Sequence, residues 1–209
     1  MTRFGSIILC ATSATGLLAC GGGGTSTKNI LDLVPVDNTV SGWTVDTSSN
    51  KNGNAQPMTA TTHQEAESLI DGAAAPFYKA PFTPSEFLWQ NYVNNSLPAA
   101  PQGAYLLLYI LQMPSADQAS GLYTALLQES EYSGNKGTPD DWQPTSPILG
   151  TESRIEDTRT AWWINFHQDV FYVEVMLSPS YGPAPDYTIS DPDLKQETFR
   201  FAQAIARKL

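Results

Sequence analysis

One run leaves the chain little choice of fold: Tyr105, Leu106, Leu107, Leu108, Tyr109, Ile110 and Leu111 follow one another without a polar interruption. Seven apolar residues in a row, closed by Pro114 and Ser115, have no face to offer to water. They suit a central strand within 104–113 that is buried on both faces. The next residues continue the unit. Ser115 and Gln118 have the spacing of a helix N-cap, and Ala119, Leu122, Tyr123, Leu126 and Leu127 recur at helical intervals. This strand-to-helix unit is expected to be the structural heart of the domain.

Further strands are expected at 87–93, 161–166 and 170–177. In the last of these Phe171, Val173, Val175 and Leu177 alternate with Tyr172, Glu174 and Met176. That alternation predicts an antiparallel pair with one face buried, joined by a turn at His167-Gln168-Asp169. A helix begins at Thr62, whose capping box is completed by Glu65, and carries Ala66, Leu69, Ile70, Ala73 and Phe77 on one face. Gly72 and Pro76 kink or end it. Another helix opens at Asp191-Pro192, buries Leu194, Thr198, Phe201, Ala202, Ile205 and Leu209, and sets Arg207 and Lys208 at the negative end of its dipole. Leu31, Leu33, Val34 and Val36, then Trp43 and Val45, form the first apolar segments. Segments 47–56, 131–149 and 178–190 read as loops. Within the first of them, Asn50-Lys51-Asn52-Gly53 lacks the carboxylates and terminal glutamate of a calcium loop. The expected architecture is α+β: a mainly antiparallel sheet of about five strands with three packed helices. A doubly wound sheet is disfavoured because the last two strands have no helix between them.

The phrase Leu69-Ile70-Asp71-Gly72-Ala73-Ala74-Ala75-Pro76-Phe77-Tyr78 resembles a motif of an uncharacterised family of secreted bacterial proteins, in which an Ile-Asp-Gly-small-Ala run closes a helix ahead of the sheet. The resemblance extends over about 33–209. It implies a fold and no activity.

The N-terminus reads as an export leader. Arg3 supplies positive charge, an apolar stretch runs from Ile7 through Leu18, and Ala19-Cys20 follows. The stretch is far short of the ~20 residues of a membrane-spanning helix. Leu17-Leu18-Ala19-Cys20 resembles the lipobox of bacterial lipoproteins. In that class the cysteine receives a diacylglycerol and becomes the new N-terminus after cleavage, so the resemblance implies lipidation of Cys20. An ordinary secretory leader cut near Ala19, leaving a free thiol, is the alternative. Three parts are expected: a signal peptide at 1–19, the lipidated cysteine and a Gly-rich tether at 20–30, and a single α+β domain at 31–209. The protein is then exported and held by lipid at the outer membrane or the periplasm-facing envelope. The two cysteines are Cys10 and Cys20, so the domain has no disulfide, thiolate metal site or cysteine nucleophile and depends on a packed core.

The sequence has 21 acidic and 11 basic residues, a formal net charge of −10. Such a chain repels phosphate backbones, which argues against nucleic acid as a partner and assigns membrane contact to the lipid on Cys20. No nucleophile elbow, zinc helix or phosphate-binding loop is present. His63 and Glu67, four apart on a helix, offer at most two metal ligands, and His167 reads as an exposed turn residue. No metal or cofactor is expected. Asp140, Asp141, Glu152, Glu156, Asp157, Asp186, Asp191 and Asp193 are available for a glycosidase pair, although a solvated surface position is the default for each. Trp142 and the adjacent Trp162 and Trp163 are the candidate ligand-binding residues. Neighbours on a strand face opposite sides, so at least one large ring of that pair falls outside a one-sided core; packing under the helices or the long loops is the preferred reading, and a ligand or glycan platform is the alternative. Three functions follow in order: a non-enzymatic, lipid-anchored binding or assembly module of the envelope with a protein or glycan partner; a carbohydrate- or small-molecule-binding domain; and an envelope hydrolase using paired carboxylates.

Overall fold

The computed structural model describes residues 28–47, 57–70, 72–94, 96–97, 104–129, 138–157, 161–178 and 191–209. Cys20, the leader, most of the tether, Asp71 and Asp186 lie outside them. Eight strands form one antiparallel sheet: β1 (Thr44–Val45), β2 (Met58–Ala60), β3 (Glu86–Asn94), β4 (Ala104–Gln112), β5 (Gln143–Pro144), β6 (Glu152–Asp157), β7 (Trp162–Gln168) and β8 (Phe171–Ser178). Their order is β1-β3-β4-β8-β7-β6-β5, with β2 sharing the β3 edge with β1. Among the described residues three α-helices pack on it: α1 (His63–Leu69), α2 (Ala116–Leu126) and α3 (Asp191–Ala206). The fold is α+β as expected, but the sheet has eight strands rather than about five. Three of the additional strands have only two or three residues, and the fourth, β6, reads Glu-Ser-Arg-Ile-Glu-Asp and carries no apolar alternation.

The apolar run lies in β4, flanked by β3 and β8. Leu106, Leu108 and Ile110 join Val173, Val175, Leu177, Ile164 and Phe166 in a core closed by Phe201, Ala202 and Ile205 of α3 and by Ile30, Leu33 and Trp43. Tyr109 and Leu111 meet Phe87 and Tyr172 on the other face, beneath Ala66, Ile70 and Phe77 from the first helical segment and Ala119, Leu122, Tyr123 and Leu126 of α2. Two packed layers thus sandwich the sheet. The alternation read in β8 is correct, but both of its faces are buried rather than one.

Local signals set the helix ends. Thr62 and Glu65 form the expected capping box, and Gln118 N–H donates to Ser115 Oγ at 3.2 Å to start α2. After Leu69 the chain unwinds: Gly72 adopts φ +87 and its N–H reaches the Glu67 carbonyl at 3.1 Å. A 3-10 turn, Ala75–Tyr78, then takes Pro76 at its start. Ala74 faces the core there in place of the expected Ala73, which is exposed. The turn between β7 and β8 is Asp169-Val170, with Asp169 at φ 50, so β7 runs on through His167.

The N-terminal segment lies on the α3 face. A 3-10 turn, Ile30–Leu33, is capped by Asn29, and Lys208 Nζ donates to the Val34 carbonyl at 2.7 Å and the Asp32 carbonyl at 3.2 Å. Lys208 therefore binds carbonyls of this segment. Lys28 Nζ returns the contact by donating to the Lys208 carbonyl at 2.7 Å. Among the described residues no helix is long and apolar enough to cross a membrane.

Phe201 sits edge-on to Tyr92 at 4.6 Å and to Trp43 at 6.0 Å, fully buried. Removing its ring takes away both the buried area and the packing of two neighbours. Phe201→Ala should cost about 3–5 kcal/mol in urea unfolding, whereas Val36→Ser, at a position 72% exposed, should change stability by less than about 0.5 kcal/mol.

Candidate functional site

Strand register places polar groups on the α2 face in rows. One row reads Phe87, Leu111, Tyr172, His167, Glu152 across β3, β4, β8, β7 and β6. The next reads Trp89, Tyr109, Glu174, Asn165, Arg154, and the third Asn91, Leu107, Met176, Trp163, Glu156. Asn91, Arg154, Glu156, Asn165, His167 and Glu174 are all buried. The opposite face is far more apolar under α3. Apolar side chains in these rows would satisfy the fold at lower cost, since a buried polar group must recover the hydrogen bonds it made to water.

Arg154 is the extreme case. It retains 5% exposure, and its Nε and Nη2 are sealed from solvent without a hydrogen-bond partner. Its Cζ lies 4.0 Å from the centroid of the Tyr123 ring and 5.2 Å from that of Trp142. Aromatic π-systems attract a cation most strongly when water is excluded, by roughly 2 kcal/mol or more. That gain is smaller than the several kcal/mol that a buried charge loses in solvation. Glu152 and Glu156 stand two residues before and after it on the same face, yet neither forms an ion pair with it.

Each part of this cage has a local cause. Tyr123 is on the inner stripe of α2. Trp142 follows a 3-10 turn, Pro139–Asp141, in which Asp141 Oδ2 accepts from Thr138 N–H at 2.7 Å. These Thr138 contacts hold the Asp141 carboxyl below its usual range. Pairing of Gln143 with Ile155 then sets Trp142 beside β6. The 144–153 connection closes tightly at Gly150, φ +60, where a Cβ would lie 2.5 Å from the His167 carbonyl oxygen. Only glycine fits that approach.

His167 is 4% exposed, in β7 rather than in an exposed turn, and its ring lies 5.1 Å from that of Tyr123. Its Nε2 is 3.9 Å from Glu152 Oε2, an ion-pair distance beyond hydrogen-bond reach. Burial lowers the imidazole pKa foremost; Glu152 opposes this and Arg154 adds to it. Tyr172 donates its hydroxyl to Glu174 Oε2 at 3.1 Å.

The three tryptophans do not form one platform. Trp142 is 6% exposed and packs with Trp163 in the α2-side core, while Trp162 belongs to the α3 side, where Lys195 Nζ lies 5.4 Å from its ring centroid. Glu156 is buried rather than solvated, whereas Asp140, Asp141, Glu152 and Asp193 are exposed. Glu156 and Glu174 face the same side, as a carboxylate pair would need. Two strand spacings and a two-residue offset put their Cα atoms roughly 12 Å apart. His63 and Glu67 pair at 2.8 Å on exposed α1, and among the described residues no group of three metal-ligating side chains occurs. Sequence reading missed Arg154 and His167. Its one available signal was Arg154 within a six-residue stretch, Glu152–Asp157, whose single apolar residue is Ile155.

No family model matches the chain, and no curated protein or solved structure matches it.

Since the folded His167 has the lowered pKa, the unfolded chain takes up its proton first as pH falls below about 6.5. Stability from neutral His167 is complete above that pH and is lost on acidification toward the folded pKa. Urea unfolding at pH 7.5 and pH 5 should show a larger loss for the wild type than for His167→Gln.

Proposed function

We propose that this protein is an exported lipoprotein, held at the outer membrane or the periplasm-facing envelope by acyl chains on Cys20, and that its domain is a non-enzymatic binding or assembly module. Its ligand sits on the α2 face at Arg154. The Leu17-Leu18-Ala19-Cys20 junction supports the anchor, and diacylation gives the two chains that stable attachment requires. The acidic balance opposes attachment through anionic headgroups or recognition of nucleic acid.

The observation that carries the binding reading is the guanidinium of Arg154, buried against Tyr123 and Trp142 with Nε and Nη2 unpaired. A fold gains nothing by sealing unpaired donors in its interior, whereas a binding site keeps them for its ligand. A glycan platform is less well supported, because Trp162 lies across the sheet from Trp142 and Trp163. A hydrolase is less well supported because Asp140, Asp141, Glu152 and Asp193 are solvent-exposed.

Two measurements test the proposal. The N-terminal peptide from the membrane fraction should begin at Cys20 with a diacylglyceryl mass, and Cys20→Ser should remove both the lipid and membrane association; an unmodified peptide refutes the anchor. Arg154→Met keeps the volume and removes the charge, so it should hold or raise the urea midpoint. A loss of about 3–5 kcal/mol would instead mean that the charge serves the fold.

A further inference from the structure

We propose that Arg154 is the receptor for a terminal carboxylate, bound in the plane of its guanidinium at the Nε–Nη2 edge. This rests on the binding reading above and assigns the chemistry of the ligand. In a guanidinium, Nε–H and Nη2–H project side by side from one edge, the fork that takes both oxygens of a carboxylate at once. Those are the two nitrogens of Arg154 that are buried without a partner. Tyr123 and Trp142 lie against the guanidinium through their rings, and aromatic rings bind it by its faces. The edge is thereby left as the place where an oxyanion is held.

The surroundings define how much of a ligand enters. Arg154, His167, Tyr123 and Trp142 are all buried, so the proposed ligand must reach the guanidinium edge with a small terminal group. Glu152, whose side chain is 62% exposed, marks the margin beside His167. Its charge repels an incoming carboxylate and sets a threshold for binding. A planar monoanion fits this place better than a tetrahedral dianion, because buried Glu156 and Glu174 share the face and resist a second negative charge.

The test uses the full-length chain labelled with nitrogen-15, with the side-chain Nε–H resonance of Arg154 as readout, assigned by its absence in Arg154→Met. Four probes are added at constant ionic strength: acetate, acetyl-dialanine with a free carboxylate, the same peptide as its amide, and inorganic phosphate. Acetate or the peptide acid should shift the resonance saturably, and the amide should not. Saturation by acetate with no gain from the peptide acid identifies a small organic acid; tighter saturation by the peptide acid identifies a chain terminus. Glu152→Gln should lower the half-saturating concentration by roughly threefold to tenfold, and it tests the site even if Arg154→Met fails to fold. No movement with either carboxylate, movement matched by the peptide amide, or tighter binding of phosphate overturns the assignment. If no carboxylate binds while Arg154→Met keeps its stability, the binding reading stands with another ligand class. If Arg154→Met is also strongly destabilised, both fall.

Discussion

Burial of β4 on both faces leaves every other element one of two places to go. A strand with apolar side chains above and below cannot lie at an edge or face water, so layers must form on each side of it. α3 and the 28–45 segment supply one layer, and α1 with α2 supplies the other. β3 and β8 then take their positions by pairing along nearly the whole of β4. The short strands β1, β2 and β5 finish the edges, β2 adding Ala60 to the α2-side core.

The two layers are not equivalent. Beneath α3 the sheet is closely packed with Val, Leu, Ile and Phe. Beneath α2 the apolar residues toward β6, Trp142 and Trp163 among them, are interleaved with Arg154, Asn165, His167 and Glu156. The buried polar side chains of this face include Asn91 of β3 and Glu174 of β8 as well as the β6–β7 group, each at the expense of apolar packing. The cage at Arg154 also explains the tight geometry around it. Gly150 at the His167 carbonyl and the capped turn before Trp142 fix the loop that carries one wall of the cage.

The legible parts of the sequence were those in which side-chain period and burial agree. The β4 run, the α2 stripe from Ala119 to Leu126 and the α3 face from Leu194 to Ile205 appear where the apolar spacing put them. The capping box at Thr62 and Glu65 was equally clear, since it is a local hydrogen-bond pattern. β1, β2 and β5 are too short to show any period, and their pairing depends on partners far away in the chain. β6 failed for a different reason: its inward side chains include Arg154 and Glu156, so burial there contradicts hydropathy. The same conflict hid the site. His167 looked like a turn residue because Asp169, two positions on, is the one at positive φ. Trp142 and Trp163 share the α2-side cluster because pairing, not sequence adjacency, decides which rings share a face.

The clasp between Lys28, Lys208 and the carbonyls of Asp32 and Val34 gives the domain a mechanical polarity. The described chain begins beside the C-terminal end of α3, so a pull on its N-terminus loads the contact between residues 28–34 and α3 before it reaches any strand. The Arg154 corner lies across the sheet from that contact. Tension on residues 28–34 is therefore carried by the α3 layer, and the Arg154 side chain belongs to the opposite one.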